Sequence, residues 1–530
     1  MQGDSSGSRP YPRASYQPRV THFMASTTSA SLTLMDLIGR APAASTAIAL
    51  PEQHLKITYG ELRDQVHAVA EQLAAAGIRR GDRIGIALPN GLPMIVSFLA
   101  ASMAGTAAPL NPGYKEDEFR FYLGDTAAKV LILPPDGVDD ARRAAGDRVP
   151  VLGIEMDAQG TVALTGVAGR RSVAPLDVDD VALVLHTSGS TGRPKRVPLA
   201  HANLSISAGN IARHYKLTPD DVALCVMPLF HVHGLVASTL ATLSTGGTVV
   251  VPAKFNPLAF WRVARDYGAT WYSAVPTLHQ LLLARSADPK SGRRPAGTER
   301  LRFIRSCSAA LPPRAMHALE EAFGAPVLEA YGMTEAAHQM ASNPLPPEVR
   351  KPGSVGRGTD VQIGVMDHGR LLPSGRRGEV VIKGPNVIRG YENNPEANAA
   401  SFVDGWFRTG DQGYLDADGY LHLVARIKEL INRGGEKISP REIDEILLAH
   451  PAVAEAVCFG VPHATWGEEV AAAVVVRGPV TEADLLAYCR ERLADYKAPK
   501  QIHVTDAIPR TATGKIQRGV VAKVYSRNGS

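Results

Sequence analysis

Short apolar runs alternate with longer amphipathic stretches along most of this chain, and this alternation constrains its fold more than any other feature. Segments 83–88 and 128–133 are largely apolar and of strand length, whereas residues 58–76 have the apolar spacing of a helix. Apolar strands separated by helices are typical of parallel sheets that are covered on both faces. We therefore predict an α/β fold with layered, largely parallel sheets.

Two changes of pattern divide the last third of the chain. Short strand-like runs joined by Asp and Gly turns begin near Gly378, which predicts a small β-rich subdomain. Further on, a compact α+β pattern predicts a helix over 440–449 and strands over 454–459 and 470–476. We expect a large N-terminal body of layered α/β subdomains that includes the β-rich subdomain, followed by a small, mobile α+β C-terminal lid.

The predicted boundaries follow from composition and pattern. Residues 1–24 are rich in Gly, Ser, Pro and Arg and are expected to form a disordered tail. The N-terminal domain is predicted over 25–427, and the C-terminal lid over 428–530.

Charge and composition exclude several classes of protein. The chain has 530 residues with 57 Lys and Arg against 52 Asp and Glu, and the net charge of +5 is spread rather than concentrated in a basic face, so nucleic-acid binding is not indicated. It lacks an apolar run of the ~18 residues that a membrane span needs. Its four cysteines are scattered without metal-ligand spacing, which predicts a reduced, cytoplasmic protein. It could be a monomer or a homodimer.

A Ser- and Gly-rich loop follows the strand-like run 181–185. Small hydroxyl residues and glycines let backbone N–H groups surround phosphate oxygens, and a lysine can neutralise their charge. The spacing is not that of a Walker A loop, and an ordinary flexible turn is the alternative interpretation. The candidate phosphate ligands are Thr187, Ser188, Gly189, Ser190, Thr191, Gly192 and Lys195.

Further motifs follow this loop in a fixed order. They are Phe-His-Val-His-Gly at 230–234, Glu-Ala-Tyr-Gly-Met-Thr-Glu at 329–335, Trp-Phe-Arg-Thr-Gly-Asp at 406–411, Arg-Ile-Lys-Glu-Leu-Ile-Asn-Arg-Gly-Gly-Glu-Lys at 426–437 and Pro-Arg-Thr-Ala-Thr-Gly-Lys-Ile at 509–516. Together they resemble the adenylate-forming superfamily of acyl-CoA synthetases, adenylation domains and luciferases. The resemblance extends over about residues 32–525. It implies an acid-thiol ligase that uses ATP, CoA and Mg²⁺ and forms an acyl adenylate. The N-terminal domain, 25–427, would then bind AMP and the acyl group.

The resemblance also implies roles for individual residues at the nucleotide. Loop 187–195 would hold the β- and γ-phosphates, and Glu335 would coordinate Mg²⁺, which prefers oxygen ligands. Tyr331 would stack near adenine, while Arg426 would bridge ribose and phosphate. The implied nucleotide-contacting residues in these motifs are Glu329, Ala330, Tyr331, Thr334, Asp411 and Arg426, of which Asp411 would accept the ribose hydroxyls.

Catalysis in two half-reactions is implied for the remaining motifs. Lys515 would reach the carboxylate and the α-phosphate during adenylation. Lys428 would be the hinge about which the lid swings, so that Lys515 leaves and a second face of the lid arrives for thioester formation. That face contains Gly434, Gly435 and Lys437, whose glycines would allow close approach of the pantetheine arm of CoA. His231 would gate the acyl pocket between the two steps.

Polar residues occupy the segments that would form the acyl pocket. Ser308 and His338, together with His233, would make this pocket polar and potentially cationic, which suits a very short diacid because a second carboxylate must be neutralised when buried. The segments around them look like the oxalate-CoA ligase branch of plants and fungi. We therefore expect oxalate or another short carboxylate as substrate. These residues could instead bond to backbone groups, and His231 or His233 could be a core histidine.

Other functions remain open on the residues alone. A fatty-acid or 4-coumarate-type CoA ligase would need an apolar tunnel or slot instead of a polar pocket. An adenylation domain would form the same adenylate but transfer the acyl group to a carrier protein. A non-catalytic nucleotide binder would have no need for Lys515, Glu335 and Asp411, which are all present.

Overall fold

The structure is a computed structural model that describes residues 32–187, 194–286, 294–511 and 514–526. The predicted tail, 1–24, lies outside these residues, as do Ser188, Gly189, Ser190, Thr191 and Gly192 of the phosphate loop. Within the described part of the chain the strands form four sheets.

The largest sheet has nine strands and a mainly parallel centre. Its inner strands are parallel neighbours, whereas the strands at both edges pair antiparallel. In spatial order the strands are Arg357–Gly358, His338–Ser342, Val327–Met333, Phe303–Ser306, Trp271–Ala274, Val222–Cys225, Thr248–Val250, Thr46–Leu50 and Leu55–Thr58.

A second sheet has seven strands and is also mainly parallel, with antiparallel pairs only at its two edges. In spatial order its strands are Val162–Thr165, Val151–Met156, Ala128–Leu133, Arg83–Ile86, Thr106–Pro109, Val181–Thr187 and Lys195–Ala200. The strands predicted at 83–88 and 128–133 are therefore central members of this sheet.

Helices cover these two sheets. Helix Tyr59–Ala75 agrees with the predicted helix 58–76 and begins at a capping box in which Thr58 and Glu61 satisfy each other's backbone N–H. It packs on Leu92–Ala104, which is buried along nearly its whole length. The remaining α-helices of the body are Leu34–Gly39, Glu116–Thr126, Asp139–Ala145, His201–His214, Ala241–Leu243, Phe260–Tyr267, Pro276–Ser286, Pro313–Phe323 and Pro395–Ser401. The segment His233–Leu240 is a π-helix.

The β-rich region predicted from Gly378 onward is part of a six-stranded antiparallel sheet. Its strands are Gln362–Asp367, Arg370–Leu371, Gly378–Lys383, Phe402–Val403, Trp406–Leu415 and Leu421–Arg426. A short 3₁₀-helix, Ile427–Glu429, leads from this sheet to the C-terminal domain.

The C-terminal domain has its own five-stranded sheet and its own hydrophobic core, centred on Ile443, Leu447 and Val474. Its strands are Ile431–Arg433, Glu436–Ile438, Val453–His463, Gly467–Val476 and Gln501–Val504, and its helices are Pro440–Ala449, Glu482–Arg490 and Arg518–Ser526. The predicted fold class, a large α/β body with a small α+β C-terminal domain, is confirmed. The boundary at Lys428 and the mobility of the C-terminal domain stay predictions.

The topology determines where a site can form. Parallel strands end at a common edge of their sheet, and ligands of open α/β sheets bind outside those carboxyl ends. Strands Val181–Thr187, Phe303–Ser306 and Val327–Met333 each lead into a segment that the sequence analysis assigned to the site. No helix within the described ranges is long and apolar enough to cross a membrane.

Candidate active site

A cleft of about 340 Å³ lies between the large body and the C-terminal domain. The structure brings seven of the predicted site residues together on its walls. These residues are Ser308, Glu329, Ala330, Tyr331, Asp411, Arg426 and Lys515.

One wall of the cleft contains a buried carboxylate with two polar partners. Asp411 and Arg426 are opposite each other in the hairpin of the antiparallel sheet, and Arg426 Nε lies 2.8 Å from Asp411 Oδ1. The Tyr331 hydroxyl donates to Asp411 Oδ2. Burial raises the pKa of Asp411, although the Arg426 guanidinium opposes this shift. The carboxylate is thus held in place before any nucleotide binds.

Lys515 enters the cleft from the C-terminal domain, at the end of a tight turn. Gly514 has φ +84°, and a Cβ at this position would lie 3.1 Å from Val275 Cγ2 and 3.3 Å from Thr277 Oγ1 in the body. Glycine therefore permits both the turn and the close contact between the domains. Burial and the nearby Arg426 lower the pKa of Lys515.

A second group of predicted residues meets at the ends of the phosphate loop. Thr187 and Lys195 pair across the strands that flank the loop. Thr187 Oγ1 lies 3.4 Å from Glu335 Oε1, and the Tyr391 hydroxyl donates to the same oxygen at 2.8 Å. The Lys195 ammonium lies over the Tyr391 ring, 4.6 Å from its centroid. Tyr391, which was not predicted from the sequence, thus contacts both the Lys195 ammonium and the Glu335 carboxylate.

Glu335 and its neighbours would suit a Mg²⁺ ion whose other ligands are phosphate oxygens of a substrate. Glu335 is buried at the start of the short 3₁₀-helix Thr334–Ala336, next to the hydroxyl of Thr187. Among the described residues there is no cluster of three or more His, Cys, Asp and Glu side chains that could hold a metal without a substrate. Mg²⁺ is commonly bound by one or two carboxylates together with substrate phosphates, so a single glutamate fits this ion.

Glu329 lines the cleft and is buried. Its Oε1 accepts a hydrogen bond from the Leu311 backbone N–H at 3.1 Å, whereas its buried Oε2 has no partner in the described structure. Burial raises the pKa of Glu329 to about 7. A protonated Oε2 could donate and an ionised one could accept, so this atom is suited to contact a polar edge of a ligand.

The three predicted substrate-binding residues are also brought together. His233 begins the π-helix His233–Leu240, a form that occurs frequently at functional sites. Its Nδ1 lies 3.1 Å from Ser308 Oγ, and its ring centroid lies 5.1 Å from that of His338. The cluster lies beside the cleft, because Ser308 lines it and His338 packs against Gly332, another lining residue.

Backbone strain is concentrated in the same cluster. Ser308 has φ +75° and His338 has φ +126°, and residues with side chains rarely adopt these values. Such conformations persist where the surrounding structure holds them, and they occur often at functional sites. The two strained residues are therefore held by the contacts around them, which is consistent with a functional role for the cluster.

Lowered pKa values favour the neutral forms of these histidines, contrary to the expectation that they make the pocket cationic. Burial, reinforced by the charge of Arg305, lowers the pKa values of His233 and His338 well below their ordinary range. Burial and Lys515 lower the pKa of His231 to about 3. The positive charges that act on this cluster therefore belong to Arg305 and Lys515.

Four of the predicted residues lie in the C-terminal domain or its connection to the body and do not line the cleft. Gly434, Gly435 and Lys437 lie on an exposed hairpin of the C-terminal domain, where the glycines have φ +59° and +93°. Lys428 is exposed in the connecting 3₁₀-helix. The structure thus gathers the residues assigned to adenylation and leaves those assigned to thioester formation on a separate surface.

Sequence analysis missed Arg305, Ser273 and Tyr391. Arg305 is completely buried in strand Phe303–Ser306, at the centre of the largest sheet. A charged residue inside an otherwise buried strand was a usable signal, because arginine is rarely fully buried without a partner. Ser273 and Tyr391 gave no comparable signal, since their positions depend on contacts with distant segments.

The chain belongs to the family of AMP-binding enzymes. The profile of the AMP-binding enzyme family matches residues 39–392, and that of the AMP-binding enzyme C-terminal domain matches residues 442–515. The chain is 48% identical to an oxalate–CoA ligase of Arabidopsis thaliana, over 88% of this chain and 93% of that protein. It is 43% identical to an oxalate–CoA ligase of Saccharomyces cerevisiae, over 91% of this chain and 95% of that protein.

A solved structure has the same architecture. The crystal structure of ATP-bound MatB from Rhodopseudomonas palustris matches with a TM-score of 0.86 and 33% identity, over 94% of this chain and 99% of that chain. The predicted membership of the adenylate-forming superfamily is confirmed.

Proposed function

We propose that this protein is an ATP-dependent carboxylate–CoA ligase that acts on oxalate or another short carboxylate. It would convert the acid, ATP and CoA to acyl-CoA, AMP and pyrophosphate through an acyl adenylate. The observation on which this proposal rests is one cleft in which Asp411, Arg426 and Lys515 lie beside the polar cluster of Ser308 and His233. Its similarity to two oxalate–CoA ligases over most of the chain supports the choice of acid.

ATP would bind across the walls of the cleft. Tyr331 would stack near adenine, with Glu329 and Ala330 beside it, and Asp411 would accept the ribose hydroxyls. Thr334 and the loop from Thr187 to Lys195 would hold the phosphates, and Arg426 would bridge ribose and phosphate. Mg²⁺ held by Glu335 would supply positive charge to the departing pyrophosphate.

In the first half-reaction a carboxylate oxygen of the acid would attack the α-phosphorus. A new P–O bond forms while the bond to the β-phosphate bridging oxygen breaks, and pyrophosphate leaves. Two anions approach one another in this step, so a preorganised cation near both lowers the barrier. Lys515 occupies a suitable place, because it lies near Asp411, Arg426 and Glu335.

In the second half-reaction the CoA sulfur would attack the acyl carbon, with loss of the thiol proton, and AMP would leave. The exposed hairpin with Gly434, Gly435 and Lys437 would face the thiol after rotation of the C-terminal domain about Lys428. His231 would gate the path between the two steps. The four cysteines are buried and free, which supports a reducing compartment, and the cytoplasm is the compartment we propose.

Polarity of the acyl pocket argues against long or aromatic acids. A fatty chain or a coumaroyl ring would desolvate the Ser308 hydroxyl and the nearby histidines without replacing their hydrogen bonds, at a cost of about 1–3 kcal/mol for each group. A very short diacid would instead present carboxylate oxygens to them. The fatty-acid and 4-coumarate alternatives are therefore less well supported.

The test is thioester formation with purified protein, ATP, Mg²⁺ and CoA, comparing oxalate with acetate, octanoate and 4-coumarate. We expect the largest kcat/KM for oxalate. A preference for octanoate or 4-coumarate would overturn the choice of acid. Pyrophosphate exchange without CoA-dependent product would favour a carrier-protein adenylation domain, and lack of exchange with every acid would favour a nucleotide binder.

A further inference from the structure

Arg305 is a buried cation without a carboxylate partner in the described part of the chain. The whole residue is 0% exposed, and no described Asp or Glu oxygen lies within 4.0 Å of its guanidinium. Its Nε donates to the Tyr215 hydroxyl at 3.0 Å, and its Nη2 donates to Gln339 Oε1 at 2.9 Å. These neutral partners satisfy its N–H groups but do not balance its charge, so an anion bound nearby would be stabilised by Arg305.

Arg305 influences which atoms donate and which accept in the hydrogen bonds around His233. An arginine N–H can only donate, and Arg305 Nη1 donates to Ser273 Oγ at 2.9 Å. Ser273 Oγ lies 2.6 Å from His233 Nε2, and Nη1 lies 3.4 Å from the same nitrogen. A proton on Nε2 would face the donor-only Nη1, so this contact favours the form of His233 in which Nε2 accepts.

The position of the proton on the His233 ring also determines the direction of its hydrogen bond to Ser308. A neutral histidine that accepts at Nε2 carries its proton on Nδ1, and His233 Nδ1 lies 3.1 Å from Ser308 Oγ. His233 therefore donates to Ser308, and the Ser308 hydroxyl hydrogen is left to point towards the cleft that Ser308 lines.

The same constraint acts on His338. Arg305 Nη2 lies 3.3 Å from His338 Nδ1, which must accept from this donor-only group. A neutral His338 then carries its proton on Nε2, the ring nitrogen that does not face Arg305. His338 packs against Gly332 of the cleft wall, where a Cβ would lie 3.0 Å from Nδ1.

We propose that Arg305 is a specificity-determining positioning residue: it makes Ser308 and His338 donors towards the acyl pocket and supplies the positive charge that balances the second carboxylate of a short diacid. This role rests on the proposed function. The acid itself would contact Ser308 and His338, while Arg305 acts through Ser273 and His233. A monocarboxylic acid gains nothing from this arrangement, because it has no second anionic group.

Variants separate this role from simple stabilisation of the core. Arg305→Gln has a side chain that both donates and accepts, so it removes the charge and the fixed direction of the hydrogen bonds. Arg305→Lys keeps a donor-only cation, and Ser273→Ala breaks the connection to His233 while keeping the charge. Arg302→Gln is the matched control, because Arg302 precedes the same strand but pairs with Asp221, at 2.5 Å.

The readouts are kcat/KM for oxalate and for acetate in ATP–pyrophosphate exchange, with the Kd for ATP as a measure of an intact cleft. We expect Arg305→Gln to lower kcat/KM for oxalate about 100-fold more than for acetate, with the Kd for ATP unchanged. Ser273→Ala should have a smaller effect in the same direction, and Arg305→Lys should restore most of the loss. Arg302→Gln should lower the thermal midpoint without changing the ratio of the two acids. An equal loss for both acids in Arg305→Gln would overturn the proposal.

A second measurement does not depend on the substrate. Ring ¹⁵N chemical shifts of the histidine-labelled protein, assigned with His233→Gln and His338→Gln, report which nitrogen carries the proton. We expect His233 to be protonated on Nδ1 and His338 on Nε2, and both preferences to weaken in Arg305→Gln. Protonation of His233 on Nε2 in the unmodified protein would overturn the proposal. Absence of oxalate activity in the unmodified protein would instead refute the substrate under Proposed function, while these shifts would still test the role of Arg305.

Discussion

Asp411 and Arg426 are paired across one hairpin of the antiparallel sheet, and Arg426 Nε lies 2.8 Å from Asp411 Oδ1. The pairing of two neighbouring strands thus places Asp411 beside Arg426. Tyr331, which donates to the other carboxylate oxygen of Asp411, comes from the largest sheet. The ribose site would therefore depend on the packing of two sheets.

We expect Asp411→Asn to weaken ATP binding about 100-fold, because a neutral amide replaces the charged acceptor of the ribose hydroxyls. Isothermal titration calorimetry with ATP measures this change. Asp418→Asn, in an exposed turn of the same sheet, is the control and should bind ATP normally. An unchanged Kd for ATP in Asp411→Asn would contradict the assignment.

Lys515→Ala should reduce acyl-adenylate formation about 1000-fold, because the cation near the reacting phosphate is lost. The fold should survive, since Lys515 lies at a turn and is only partly buried. Pyrophosphate release measures the first half-reaction, and thioester formation from a synthetic acyl adenylate measures the second, which should persist. Lys523→Ala, on the exposed face of the C-terminal helix, is the control. Normal pyrophosphate release by Lys515→Ala would refute its role.

Lys428→Pro should block thioester formation while adenylation continues. Proline fixes φ near −65°, so a hinge at this position could no longer change its backbone angles. The two half-reactions are assayed separately, and Lys428→Ala, which removes the side chain alone, should perform both. Equal rates of thioester formation in the two variants would place the hinge elsewhere.

Glu329 should make the protein less stable as the pH rises. Burial raises the pKa of Glu329 from 4.5 to about 7, so the folded state binds its proton more tightly than the unfolded state. Its stabilising contribution is complete below about pH 4.5 and is lost as the pH rises through about 7. We expect Glu329→Gln to flatten this part of the stability profile, by on the order of 3 kcal/mol.

Thermal or urea unfolding between pH 4.5 and 8 measures the contribution of Glu329. Glu348→Gln, at an exposed carboxyl group, serves as the control and should keep the slope of the unmodified protein. Identical slopes in Glu329→Gln and the unmodified protein would show that Glu329 has no raised pKa.

Much of the fold was predictable because its signals are local. The helix predicted over 58–76 has its capping residues next to it in the chain, and the strand at 128–133 is an apolar run. The strands predicted at 454–459 and 470–476 are longer in the structure, Val453–His463 and Gly467–Val476, since pairing with each other extends them. Pairing between strands is a tertiary effect that a local pattern does not measure.

The sequence by itself determined the class of enzyme and predicted residues for nucleotide chemistry, because ordered motifs contain side chains of the kinds that phosphate and ribose require. Only the tertiary structure decided the character of the acyl pocket. Arg305, Ser273 and His233 come from different elements of the body, and their contacts determine which histidine nitrogens accept hydrogen bonds. Burial also lowers the pKa values of His233 and His338 beside the charged Arg305, and burial depends on packing that no single segment encodes.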